Sequence, residues 1–449
     1  MSKSSESPPV TAVRPPTAKA PRSYVTSWLV GPLIGFTVVA MVVVLVSLSR
    51  SNDPDQLWGS AEAALREGRL NDAAAAVELL SRARDPVPRD WMLRAQVAVA
   101  RKNVDEAMED LGQIPDDDRI ASQAWLLKGQ VELRRNRAKN AELALRKALT
   151  LDPTLTQAHR ELIFIYGMQL RRNELNEEFK ALSELTELTY DNVFHWCLVR
   201  NCIWEPGEVA QTLAEFLAAD PTDRQTRLSL ADNYRRLGLF DEADLALAEL
   251  PQDDPEALAG RVMLAMDRRQ EELAEELLAK GPADDPNLAR IRGRIALARR
   301  NGPDAVHNFQ IAYDHEPGDR DTLFGLINAH ELCGDDAAAL PLRQAAKNLE
   351  IFNTLMQRVS APGGRKDASL MKEMGAACSS LGFIPEARSW YKLAIARDPL
   401  DAVSQQALFR LNAKARANDP PADHPIPPTP RTTPESRASR PDISLRPRP

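Results

Sequence analysis

The sequence predicts an all-α fold: a solenoid of about ten stacked helical hairpins, preceded by one transmembrane helix. Three observations predict it. A unit of about 34 residues recurs between Leu57 and Ala417, with small residues at fixed offsets. Strand patterning is nearly absent from a chain that is 27% charged and only 5% aromatic, a composition suited to solvated helices. One dense apolar run, Val25–Leu48, stands apart from everything after it.

Residues 1–23 come first. Met1–Arg22 holds five prolines and carries Lys3, Arg14, Lys19 and Arg22 against a single Glu6, so disorder is expected there. Residues 24–49 form the predicted transmembrane helix. No charge occurs from Ser23 to Ser49, and at about 1.5 Å per residue the apolar run reaches roughly 36 Å, enough to cross a hydrocarbon core. Tyr24 and Trp28 suit one interface. The run is longer than a signal-peptide core, and SLSRSNDPD offers no A-x-A cleavage site, so an uncleaved span at about Ser27–Leu48 is expected. Basic residues lie on its N-terminal side, while Arg50 is soon followed by Asp53 and Asp55. That asymmetry predicts a cytoplasmic N-terminus and a repeat domain outside the cytoplasm, on the periplasmic side.

The repeats, residues 57–417, are clearest at Ala368–Pro399. Met371, Met374 and Gly375 share one face of a first helix, Gly382 marks the turn, and Ala387, Tyr391 and Ala394 line a second helix that Pro399 closes. Small residues are needed where the two helices cross, because only Gly or Ala lets the backbones approach. Trp125, Gly129, Ala141, Ala148 and Pro153 repeat these offsets, as do Ala289, Gly293, Ala305, Ala312 and Pro317, with Phe309 in the place of Tyr391. A further copy runs through Leu230, Tyr234, Gly238, Phe240, Glu242 and Ala243. Ala73, Ala107 and Ala141 fall 34 apart, as do Ala305 and Ala339. Trp125, Tyr234, Phe309 and Tyr391 read as core.

These residues and this spacing resemble the tetratricopeptide repeat, in a membrane-anchored protein of bacterial type. The resemblance implies a right-handed superhelix whose concave groove, lined by first helices, receives a peptide or a partner helix. The lysine and asparagine arrangement of chaperone-binding members is not matched in three consecutive repeats.

Hairpins begin at Leu57, with Gly68 at the first turn, and continue through Trp91 and Ala107. Residues 154–221 are degenerate. Thr154–Leu188 has three extra residues before its next turn, and Tyr190–Pro221 loses the pattern around Trp196, Trp204 and Pro206, so the array is expected to bend or widen there. Residues 348–367, with IFNTLMQRV and APGG, read as an extra helix and a loop. Leu400–Ala417 reads as a terminal cap. Residues 418–449 contain ten prolines and are expected to be a disordered tail.

Composition restricts the chemistry. A net charge of -7 and the absence of a basic stripe argue against nucleic acid as a partner. Cys197, Cys202, Cys333 and Cys378 are too scattered for a disulfide framework or a zinc site and read as buried small residues. The six histidines are isolated from one another, acidic clusters such as Asp116–Asp118 and Asp253–Asp254 read as caps and turns, and no phosphate loop, nucleophile elbow or metalloprotease motif occurs. No catalytic residue, cofactor or metal is expected, and the chain does not read as an enzyme.

The expected function is a membrane-anchored scaffold that binds a peptide or protein partner, with the lipid bilayer contacted through the single span. The alternative is a cytoplasmic-facing adaptor, or a regulatory subunit of a membrane or envelope enzyme complex. Arg290 and Arg294 lie four apart on a first helix, with Asn328 and Lys372 at groove-facing offsets of the next two repeats. Such a row suits an acidic peptide or a terminal carboxylate. The same four residues also fit a solvated charged face.

Overall fold

The structure is a computed structural model of the chain and describes residues 53–201 and 206–418. The expected span at residues 24–49, the segment at 1–23, Cys202, Trp204 and the tail beyond Asn418 lie outside the described residues. Among the described residues no helix is long and apolar enough to cross a membrane. Every regular element described is helical: 21 α-helices and one 3-10 turn. The fold divides into two compact units, with the boundary between Lys102 and Asn103.

The first unit holds α1 (Pro54–Arg66), α2 (Leu70–Ala83) and α3 (Pro88–Ala100). Asp53 starts α1 by accepting the Asp55 amide at 3.2 Å, and Pro54 supplies a preset φ where no amide is needed. The chain then reverses at Gly68, whose φ of 74° lies in the left-handed region open to glycine. Ala61, Ala64 and Ala73 are buried where α1 meets α2, and Leu93 and Val97 of α3 complete the core.

The second unit opens with α4 (Val104–Gly112), followed by α5 (Ala121–Arg134), α6 (Ala138–Leu151), α7 (Thr156–Met168) and α8 (Arg172–Leu185). Next come α9 (Tyr190–Asn201), α10 (Pro206–Ala219), α11 (Arg224–Arg236), α12 (Phe240–Ala248), α13 (Pro255–Asp267) and α14 (Glu271–Lys280). The array ends with α15 (Pro286–Ala298), α16 (Gly302–His315), α17 (Arg320–Leu332), α18 (Asp336–Ser360), α19 (Ala368–Ser380), α20 (Ile384–Arg397) and α21 (Ala402–Asn418). Aspartates Asp223, Asp254, Asp285, Asp319 and Asp367 start α11, α13, α15, α17 and α19, each accepting an amide of the first turn.

The small residues sit where the helices nearly touch. A Cβ added at Gly129 would lie 2.7 Å from Leu145, and one at Gly375 would lie 2.9 Å from the Tyr391 ring. Phe309 is wedged between two first helices: a Cβ at Gly293 would meet its ring at 2.9 Å, and one at Gly325 at 2.4 Å. Ala141, Ala305 and Ala387 are fully buried.

Like α4, the second helices α12 and α14 are short, with only 9 and 10 residues. The orphaned carbonyls at the ends of α12 and α14 are collected by an arginine of the following helix. Arg261 donates to the carbonyls of Leu247, Leu250 and Pro251 at 2.7, 2.8 and 3.1 Å. Arg292 does the same for Leu278, Gly281 and Pro282 at 2.8, 2.9 and 2.7 Å.

One irregular segment differs from its reading in sequence. The residues read as an extra helix continue α18, a single helix of 25 residues. Its apolar stripe, Leu349, Phe352, Leu355, Met356 and Val359, stays buried until Ala361–Gly363 breaks the pattern, and the 3-10 turn Gly364–Lys366 leads to Asp367 and α19. The degenerate stretch, expected to bend or widen the array, brings together helices distant in sequence. Helix α9 packs against α8, α18 and α20, while α10 packs on α7 and α11. One apolar core therefore joins residues 138–230 with residues 352–411 of the same unit.

Candidate partner-binding surface

The first helices of successive hairpins lie side by side: α5 neighbours α7, and α11, α13, α15 and α17 follow one another. With α9 turned aside, α7 is bonded directly to α11. The Gln169 amide donates to Thr226 Oγ1 at 3.0 Å, and the Ser229 hydroxyl donates to the Gln169 carbonyl at 2.6 Å. Thr226 in turn donates to Asp223 at 2.8 Å. All four are buried, and burying polar groups is tolerable because each has a partner.

Beside this junction lies a charged network. Glu142 accepts from the Arg171 guanidinium at 2.6 and 3.1 Å and from the Tyr166 hydroxyl at 3.1 Å, and Arg146 donates to that hydroxyl at 2.9 Å. The Arg171 guanidinium also lies 4.4 Å from the centre of the Tyr166 ring. Burial pushes the Tyr166 hydroxyl well above the ordinary tyrosine range. Burial disfavours the Arg171 charge, but Glu142 and Glu174 more than offset it and raise its pKa. The network fixes α6, α7 and α8 with every charge matched.

A second pair, the buried His159 and the partly buried Glu178, ties α7 to α8. His159 Nδ1 lies 2.5 Å from Glu178 Oε2 and its Nε2 lies 3.1 Å from the Pro153 carbonyl. Two acceptors favour the doubly protonated ring. Burial opposes the charge, yet Glu178 and the carbonyl prevail and raise the pKa of His159.

The four candidate residues have different surroundings. Arg290 on α15 is paired with Asp319 at 3.7 Å, and Lys372 on α19 with Asp401 at 3.4 Å, so each faces a carboxylate of the chain itself. Arg294 on α15 and Asn328 on α17 are exposed and occupy equivalent positions of neighbouring first helices. No hydrogen bond or ion pair joins any two of the four.

Phe309 and Tyr391 are buried, as residues at core positions should be. Trp125 and Tyr234 are only half-buried. Trp125 keeps an edge at the surface because its indole N–H donates to Asp116 at 2.7 Å and the Lys128 ammonium lies 4.3 Å from its ring centre. Within the first unit, Arg89 lies over Trp58 and Arg94 over Trp91 in the same way. Cys197 and Cys378 are buried as expected, whereas Cys333 is exposed at the end of α17.

A cleft of about 530 Å³ between α14, α15 and α16 is lined by Glu275, Arg292, Arg299, Asp304 and neighbouring residues. Its charges are consumed internally. Arg292 holds carbonyls, Arg299 pairs with Glu275, and Asp304 accepts from Asn301. Among the described residues no three His, Cys, Asp or Glu side chains converge as metal ligands.

Residues 59–114, 116–155 and 292–350 match the family model of the tetratricopeptide repeat. No curated protein matches the chain in sequence. Among solved structures, the chain is similar to one in the crystal structure of the APC/C hetero-tetramer Cut9-Hcn1, at 14% identity over 81% of this chain and 91% of that one, with a TM-score of 0.36. It is also similar to the P58(IPK) TPR domain, at 15% identity over 81% and 99% of the chains, with a TM-score of 0.24. For Pseudomonas aeruginosa pilF the identity is 18% over 45% and 95%, with a TM-score of 0.24.

Proposed function

We propose, from the premise that this chain carries tetratricopeptide repeats, that it is a non-catalytic, membrane-anchored scaffold whose first-helix row binds a protein or peptide partner. A repeat array offers a long surface and no enclosed reaction chamber, so its chemistry is recognition. The observation that carries the reading is the pair Arg294 and Asn328, exposed at equivalent positions of adjacent first helices. A cation and an amide so placed suit a carboxylate-bearing extended segment, and Arg290 already holds one carboxylate, that of Asp319. An acidic partner group competes with Asp319 for Arg290 and with Asp401 for Lys372.

The anchor rests on the charge-free Ser23–Ser49 stretch and its basic N-terminal flank. Proteolysis of intact spheroplasts tests the topology. Digestion of the repeats with protection of Met1–Arg22 is expected. Protection of residues 57–417 with loss of the N-terminal segment would instead support the cytoplasmic-facing adaptor, and a soluble mature chain starting near Ser49 would remove the anchor.

A further inference from the structure

Helix α9 is seated in the second unit as a bound helix would be. The stack does not need it in sequence order, because Gln169 bonds α7 to α11 and α10 packs on both. Its side chains Tyr190, Phe194 and Cys197 fall at i, i+4 and i+7, the spacing by which one helix face enters a groove. Tyr190 donates its hydroxyl proton to the Val359 carbonyl at 2.8 Å and sets its ring edge-on to Trp390, with centroids 5.4 Å apart. Phe194 stacks beside Tyr190 and packs against the same core. Cys197 Sγ accepts the indole N–H of Trp390 at 3.2 Å. At the rim, Asp191 is paired with Arg365, whose side chain remains 63% exposed and reachable from solvent.

The opposite face of α9 belongs to its own arm. Trp196 stacks on Phe179 of α8 at 5.4 Å and donates to Asn176 at 2.9 Å. If the seam parts, the contact of α8 with α20 at Glu184 and Arg388 parting with it, α9 stays on α8 and the α18–α20 face is left uncovered. We propose that the face built by the distal half of α18, the 3-10 turn and α20 is a docking site for an amphipathic helix, filled here in cis by α9. Its trans occupant is a helix of a partner protein with aromatic residues at i and i+4, a small residue at i+7 and an acid at i+1 to meet Arg365. This site is separate from the first-helix row and stands or fails independently of it.

The test uses the full chain and a fluorescein-labelled synthetic peptide of residues 186–201. The substitutions Tyr190→Ala and Phe194→Ala together weaken the cis occupant. The peptide is expected to bind this variant at least tenfold more tightly than the parent chain, to lose at least threefold in affinity when Arg365→Glu is added, and not to bind when it carries the same two alanines. Equal or absent binding to the folded variant overturns the proposal. Should the variant fail to fold, hydrogen exchange on the parent decides: α9 amides exchanging faster than those of α7 and α11, together with the distal half of α18, support a seam that opens. Exchange of α9 only in step with α7 and α11 overturns it.

Discussion

The indole N–H of Trp390 donates to the sulfur of Cys197 at 3.2 Å, across 193 positions of chain. Both residues are fully buried. This contact, with Tyr190 bonded to Val359, makes the second unit more than a one-dimensional stack, in which each repeat touches only its neighbours. Trp390→Ala removes the donor and a large buried ring, and is expected to cost about 3–5 kcal/mol. Chemical denaturation of parent and variant measures it, and a loss below about 1 kcal/mol would show that the seam contributes little.

Overpacking should be confined to the crossing points. A Cβ at Gly325 would lie 2.4 Å from Phe309, whereas Gly59 has nothing within 4 Å. Gly325→Val and Ala387→Phe are each expected to cost about 1–3 kcal/mol or more. Gly59→Ala, inside α1, should be neutral or stabilise by about 0.5–1 kcal/mol. Thermal unfolding followed by circular dichroism compares the three. Equal midpoints would place the helix crossings elsewhere.

The repeat register was legible because it rests on small residues at fixed spacing: Gly129, Gly293, Gly375 and their alanine partners occupy the places that the offsets assign them. The continuation of α18 was partly legible, since IFNTLMQRV has a helical period, but period alone does not show whether a new helix starts. The seating of α9 was not legible. Its signal is the aromatic density at Tyr190, Phe194 and Trp196, yet a local pattern cannot say that Tyr190 finds a carbonyl 169 positions away. The candidate site was read by offset, which put Arg290 and Arg294 on one face of a first helix and Asn328 and Lys372 at groove-facing offsets of the next two repeats. Offset could not reveal that Asp319 and Asp401 sit against Arg290 and Lys372.

Stability should depend on pH through His159. Burial opposes its charge, but Glu178 and the Pro153 carbonyl raise its pKa above the ordinary histidine value. A raised value in the folded state means that the stabilisation is complete below about pH 6.5, the unfolded value, and is lost as pH rises through the folded one. The gap in melting temperature between the parent and His159→Gln should therefore narrow from about pH 6.5 upward. A gap that widens with pH would show that the ring is neutral in the fold.

Breaking the charged network beside the α7–α11 junction should be costly. Glu142→Ala leaves the mostly buried Arg171 with Glu174 as its one bonded carboxylate, beside the neutral Gln169 side-chain oxygen. Removing one partner of a buried pair typically costs about 3–5 kcal/mol; partial exposure of Arg171 puts the expectation at the lower end. A combined Glu142→Leu, Arg171→Met variant should recover much of that loss. Urea unfolding of the two variants checks it, and equal losses would show that packing, and not the unpaired charge, sets the cost.

The scaffold reading is tested most directly by site-specific photocrosslinking in intact membranes. A photoreactive side chain replaces Arg294 or Asn328 on the first-helix row, or Leu245, which is 72% exposed on the second helix α12. One discrete adduct from both first-helix positions, absent from Leu245 and lost when Arg290→Glu is introduced beside the Asn328 probe, is the predicted result. Adducts formed equally at Leu245, or none at either first-helix position, would contradict the account.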